Sequence, residues 1–388
     1  MTQFVVVGAG LLGTSIAYRL AERGHSVTIV ERDHPGAGTS GSSFAWTNSN
    51  EKTPYNYHLI NALGMRAHRE LENEFGARPW FHGGGAIEWR SNAHEAQELD
   101  ERVERLIGWN YAAEWISADR LHRLEPAVAR EASGDAKIAY FADEGWVDPS
   151  VYIEFFLGKA RDLGAKLSRE TVTGVDLSGD KVTGVRMASG TTIGADVVVN
   201  CTGRWANDLG QDVRMTFPLA PTIGLLVVTA PAQSGVRRVV RTSAVNLRPD
   251  GAGRIMLHSE HDEQGFTLES SSDDTYPAAV AMIERASRIY PELAGARPEA
   301  VRLSHRAIPG DGVSAVGPVP EVSGYYAAVT HSGATLAPWL GQVVAAELAG
   351  DSDNDALQDF RPARFFGRQT DTSASTRKAQ HVSTTPDR

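Results

Sequence analysis

The sequence predicts an α/β protein in which a helix-flanked parallel sheet is interleaved with an α+β region built on an antiparallel sheet. Three observations predict it. The opening FVVVGAGLLGTSIAYRLAERGHSVTIVER gives apolar strand, glycine turn, helix and second apolar strand, with a crossover long enough for a parallel βαβ unit. The segments ETVTGVDLSG, DKVTGVRMAS and TTIGA follow one another as a meander of short antiparallel strands. Near the end, GYYAAVTHSGATLAPWLGQVVAAELAG repeats the order strand, glycine loop, helix.

The elements follow in chain order. Residues 4–7 form a buried strand, 11–23 a helix and 26–30 a second strand. A glycine- and serine-rich loop, HPGAGTSGSSFAWTN, precedes a helix through YNYHLINALGMRAHRELENEF. Residues 93–106 carry an amphipathic helical pattern, and DEGWVDPSVYIEFFLGKARDLGA restarts a helix. After the meander, ADVVVNCTG reads as a buried strand. IGLLVVTA and RIMLHSE alternate as strands, and YPAAVAMIERASRIYPEL is helical. The resulting division places 1–80, 145–210 and 300–366 in one discontinuous domain and 81–144 with 211–299 in a second. The polar tail 367–388 lacks apolar periodicity and is expected to be disordered.

Bulk properties narrow the function classes. A chain of 388 residues is long enough for two or three domains. Its net charge of -10 argues against nucleic acid as a partner. The single cysteine, Cys201, excludes an internal disulfide, so a reduced, cytoplasmic setting is expected and core packing is its expected role. No basic apolar leader precedes Phe4 and no run of about 20 apolar residues occurs, so neither a signal peptide nor a membrane span is expected. No metal site is expected either.

Gly8, Gly10 and Gly13 form GxGxxG between a strand and a helix, the context in which this pattern signals a Rossmann-like dinucleotide site. Gly8 permits the tight turn, Gly10 lets phosphates approach the backbone, and Gly13 lets helix and strand pack. Leu11 and Leu12 open the helix, whose N-terminal N–H groups face the pyrophosphate. Glu31 stands 18 residues past Gly13, where a carboxylate can accept from ribose hydroxyls, and Arg32 follows it. An acid there disfavours a 2′-phosphate. The turn alone does not separate FAD from NAD, because both carry the same ADP half.

Over residues 4 to about 350 the chain resembles the D-amino-acid oxidase-like flavoproteins, the group of glycine oxidase, sarcosine oxidase and the bacterial D-amino-acid dehydrogenases. The resemblance rests on the opening motif, GTSGSSFAW, EGWVDPSVYIEFFLGKARDLGA, VVVNCTGRWANDL, RAIPGDGVSAVG and HSGATLAPWLG. It implies a glutathione-reductase-type FAD-binding domain. It further implies that Gly333, Ala334, Thr335 and Leu336 begin a helix at the flavin's pyrimidine edge, and that Thr39, Ser40 and Ser42 line the loop between ribose and flavin. Val172 matches the position whose backbone meets adenine, and Gly203 and Trp205 flank the cofactor. GTSGSSFAW has no His and HSGATLAPW no Cys, unlike relatives with covalent flavin, so non-covalent FAD is expected.

The resemblance also bears on substrate. Arg306 precedes Gly310 and Asp311 as in the RPxxxDG segment of glycine oxidase, where the arginine binds the substrate carboxylate, although Ala307 replaces the proline. A planar guanidinium suits that role; a structural ion pair with Asp311 is the other reading. His331 precedes the late helix at a position where relatives face the substrate. Trp46, Asn48, Tyr55 and Tyr57 are weaker candidates for the pocket wall. The family chemistry is hydride transfer from an amine-bearing carbon to flavin N5, giving an imine that hydrolyses, with oxygen or another acceptor taking the electrons. A 2-hydroxy-acid donor, a non-catalytic electron-transfer subunit and an NAD-dependent dehydrogenase stand as alternatives.

Overall fold

The computed structural model describes residues 1–76, 79–351 and 355–366. The chain divides into two compact units, one of Met1–Gly41, Pro149–Thr222 and the chain from His305, the other of Ser42–Asp148 and Ile223–Ser304. The first crossing falls between Gly41 and Ser42, where the sequence reading set it at residue 80. The long helix Tyr55–Phe75 belongs to the second unit, and its amphipathic pattern carries no sign of which sheet it joins. The tail 367–388 lies outside the described residues.

The first unit is built on a six-stranded sheet ordered Ala315–Pro318, Tyr325–Val329, Val197–Asn200, Gln3–Val7, Ser26–Glu31, Lys166–Arg169. All neighbours run parallel except the first pair. The chain leaves Gln3–Val7 toward Ser26–Glu31 on one side and later adds Val197–Asn200 on the other. That reversal opens a ligand crevice beyond the carboxyl ends of the strands. The helix Leu11–Glu22 is buried through Ala21 and packs on the helices Pro149–Asp162 and Gly333–Ala349. Its approach to the late helix is close enough that a Cβ on Gly341 would fall 2.2 Å from Ser15 Oγ. The meander Val172–Ser178, Lys181–Met187, Thr192–Gly194 forms a separate antiparallel sheet in this unit.

The second unit carries an eight-stranded sheet that is antiparallel from Ile223–Thr229 to Ala113–Ile116, apart from the parallel junction of Val239–Arg241 with Ala86–Trp89. Strand alternation divides its faces. Leu225, Val227, Leu247 and Leu257 join Met282, Ile283 and Ala286 of the helix Ser272–Ile289 in one core, while Leu226, Val228 and Met256 point the other way. A small sheet of Trp46–Thr47, Gly145–Val147 and Phe81–His82 completes the unit. The segment read as one helix from Asp143 thus begins as the strand Gly145–Val147, and helix starts only at Pro149. Proline suits that first helical position, because its missing N–H would have had no partner there.

Candidate functional site

Four neighbouring parallel strands of the first unit end on candidate site segments. Gln3–Val7 runs into Gly8, Ser26–Glu31 ends on Glu31, Val197–Asn200 leads to Gly203, and Tyr325–Val329 leads to Gly333. Register aligns them, with Val7 opposite Val30 and Asn200, and Asn200 opposite Ala327.

Gly8 takes φ +103, which favours glycine, and its N–H donates to Val30 O at 2.8 Å. A Cβ on Gly13 would lie 1.9 Å from Gly8 O, and one on Gly10 would lie 2.8 Å from Ser40 Oγ. Gly13, facing backbone, therefore requires glycine for packing, whereas at Gly10 the neighbour is a serine hydroxyl that can turn aside. Leu11 and Leu12 are buried at the helix start, and Leu11 N–H donates to Ser40 Oγ at 3.2 Å. Glu31 Oε2 accepts from Ala9 N–H at 2.9 Å within the turn, and Oε1 accepts from Asp33 N–H at 3.0 Å. Arg32 pairs with Asp33 at 3.2 Å and lies 4.8 Å from the Trp205 ring.

The late helix meets this turn. A Cβ on Gly333 would lie 3.5 Å from Leu12 Cδ1, so the N-terminal ends of Leu11–Glu22 and Gly333–Ala349 adjoin. Two helix dipoles thus direct positive ends at one place. Ala334, Thr335 and Leu336 are buried in its first turn, with the N–H groups of Thr335 and Leu336 donating to Ser332 O. Thr39 Oγ1 donates to His305 O at 2.8 Å, and a Cβ on Gly203 would lie 3.8 Å from Ala307 Cβ. Trp205 packs 3.0 Å from a Cβ placed on Gly38.

The remaining expected residues distribute as follows. Val172 opens the meander opposite Met187. Arg306 is half-buried, its N–H donating to Thr222 O at 3.0 Å. Asp311, its alternative ion partner, binds Arg364 through Nε at 2.7 Å and Nη2 at 3.2 Å. His331 is exposed just before the late helix. Ser42 begins the second unit, where its carbonyl accepts from Ser304 Oγ at 3.2 Å. Cys201 is buried against the turn, and burial pushes its thiol up to about 12. Arg204 escaped the sequence reading: Nε and Nη1 are buried without a hydrogen-bond partner. Its only signal in sequence is its place beside Gly203.

Trp46, Asn48, Tyr55 and Tyr57 all fall in the second unit. Trp46 Nε1 donates to Glu144 Oε2 at 2.9 Å, Asn50 Nδ2 to the same oxygen at 3.2 Å, and Tyr111 OH to Oε1 at 2.7 Å. Glu144 is fully buried, and that burial pushes its carboxyl up to about 8 against these donors. Asn48 and Tyr57 are buried, whereas Tyr55 is exposed.

A glycine turn, an acid at the end of the neighbouring strand and two adjoining helix ends beyond a parallel sheet define a dinucleotide-binding protein. The chain belongs to the family of FAD dependent oxidoreductases termed DAO, whose model matches residues 3–347. It is 25% identical over 372 residues to a hydrogen cyanide synthase subunit, HcnC, of Pseudomonas aeruginosa, covering 84% of this chain and 87% of that one. It is also 25% identical to a glycine oxidase of Geobacillus kaustophilus, covering 94% of this chain and 97% of the relative. A crystal structure of glycine oxidase from Geobacillus kaustophilus superposes with a TM-score of 0.81 at 21% identity, over 95% and 100% of the two chains. An L-proline dehydrogenase structure from P. horikoshii gives 0.80 at 21% identity, over 94% and 97%. FAD is the cofactor of this family. The site fits a diphosphate in that two helix N-terminal ends adjoin at the glycine turn, and Arg204, four residues past the neighbouring strand, holds two buried donors without an acceptor. Among the described residues no helix is long and apolar enough to cross a membrane.

Proposed function

We propose that this chain binds FAD non-covalently and oxidises the C–N bond of an amino acid or secondary amine. The observation that carries the reading is the arrangement of four adjacent strand ends, which sets the phosphate turn, Gly203 and the late helix side by side. The RAIPG segment adjoins them through Ala307. When bound, FAD supplies the acceptor for a hydride leaving the carbon that bears the amine. The resulting imine hydrolyses in water to a carbonyl compound and an amine.

The protein's share is binding and orientation. Glu31 takes the ribose hydroxyls, and the turn's N–H groups take the phosphates. The positive helix end at Gly333–Leu336 would stabilise negative charge on a flavin ring held beside it. Arg306 pairs both oxygens of a substrate carboxylate, which aligns the donor carbon. His331 contributes a neighbouring polar contact. No protein base is obligatory, since the amine only has to be neutral at the moment of transfer. The named activities of the two relatives, on glycine and on L-proline, agree with primary and secondary amine donors.

Turnover with an artificial acceptor, scored for ammonia or carbonyl product across amino acids, N-alkyl amino acids and 2-hydroxy acids, tests the reading. Product from amines alone is expected; product from hydroxy acids alone refutes the C–N assignment. The relative that is a synthase subunit favours a second reading, in which this chain is one subunit of an electron-transfer assembly. Under that reading the isolated chain is reduced by substrate but passes electrons on only when a partner chain is present.

A further inference from the structure

We propose that Arg204 is a further cofactor-binding residue, its guanidinium donating to the negatively charged diphosphate of FAD. Arg204 is the second residue of the short 3-10 helix Gly203–Asp208 and follows the strand Val197–Asn200 by four residues. That strand lies directly beside Gln3–Val7, so the segment after it borders the phosphate turn. Contacts on both sides of Arg204 agree. A Cβ on Gly8 would fall 2.6 Å from Cys201 O and 3.3 Å from Thr202 Cα, while Trp205 packs on Gly38 of the loop whose Ser40 meets the helix start.

Arg204 Nε and Nη1 are buried and have no hydrogen-bond acceptor. Such donors are rare in folded chains because leaving them unmet is costly. Burial also lowers the pKa of the guanidinium, with Asp208 acting against it, but the group stays a cation. The other arginine on Trp205, Arg32, is already matched by Asp33. A diphosphate supplies what Arg204 lacks, several acceptor oxygens and negative charge. Adenine and the oxidised flavin ring offer acceptors but are neutral, so neither supplies the charge.

The proposal rests on FAD being the resident cofactor, and one titration separates the two. Apoprotein is titrated with FAD and with riboflavin, which has the ring but no phosphate, following flavin fluorescence in wild type, R204M and R204K. R204M is expected to weaken FAD about ten- to a hundred-fold while leaving riboflavin within about two-fold of wild type. R204K, which keeps the charge and loses the fork, falls between. The R204M apoprotein should melt no lower than wild type, because two buried donors without acceptors have been removed. Unchanged FAD affinity in folded R204M, or equal losses for FAD and riboflavin, overturns the assignment. Wild-type apoprotein that takes up neither flavin overturns the FAD reading itself, and this assignment with it.

Discussion

Replacing Glu144 by Gln removes a titration that burial has displaced far from its ordinary position. The carboxyl titrates at about 8 in the folded chain, against 4.5 when free, because it is buried behind Trp46, Asn50 and Tyr111. Between those two values the folded chain holds a proton that the unfolded chain has released, so stability falls as pH rises across the window. At about 1.4 kcal/mol per pH unit, Glu144 alone costs the wild type at most about 5 kcal/mol between about pH 4.5 and pH 8. Glu88 shows that burial alone does not set the sign. Burial raises its carboxyl too, yet Arg241, Arg102 and Arg90 outweigh that and hold it low. The assay is urea unfolding at about pH 5 and about pH 8, followed by tryptophan fluorescence, in wild type and Glu144→Gln. The wild type should lose several kcal/mol more than the variant over that interval. Equal losses in the two proteins would show that Glu144 is ionised throughout and refute the argument.

Gly13→Ala places a methyl 1.9 Å from Gly8 O, a backbone atom that cannot step aside, so the purified variant should contain no FAD; full flavin content in its absorption spectrum would contradict this. Arg306→Ala should raise KM for carboxylate-bearing donors about ten-fold or more and leave amines without a carboxylate unaffected, with Arg306→Lys between them. Cys201, whose thiol burial pushes up to about 12, should resist thiol reagents at about pH 8 in the folded chain and react fully in denaturant. Fast labelling of the folded protein would show the strand end around it to be open.

Much of the first unit was legible because its signals are local. The turn glycines, the helix after them and the acid at the next strand end fall within one continuous segment, Gln3–Glu31. The late helix was legible for the same reason. What escaped depends on partners far along the chain. Lys166–Arg169 is a short edge strand with no buried residue, and it becomes a strand only by pairing with Ser26–Glu31. Phe81–His82, of two residues, and Ala113–Ile116, of four, likewise find their partners far away, at Gly145–Val147 and Ile138–Phe141. Arg204 is an ordinary charged residue in sequence, and only burial of its donors distinguishes it. Asp311 shows the reverse case: proximity in sequence suggested Arg306 as its partner, and the fold supplies Arg364 from 53 residues away.

The central claim is that a dissociable flavin in the first unit accepts electrons from an amine. Recording the visible spectrum of the purified protein under anaerobic conditions, then adding glycine, proline and their N-alkyl relatives, tests it most directly. The account predicts a flavin spectrum that bleaches with an amine donor, is released into solution by denaturation, and is unmoved by 2-hydroxy acids. A flavin that bleaches only with hydroxy acids, or a protein that takes up NADH and no FAD, would contradict it.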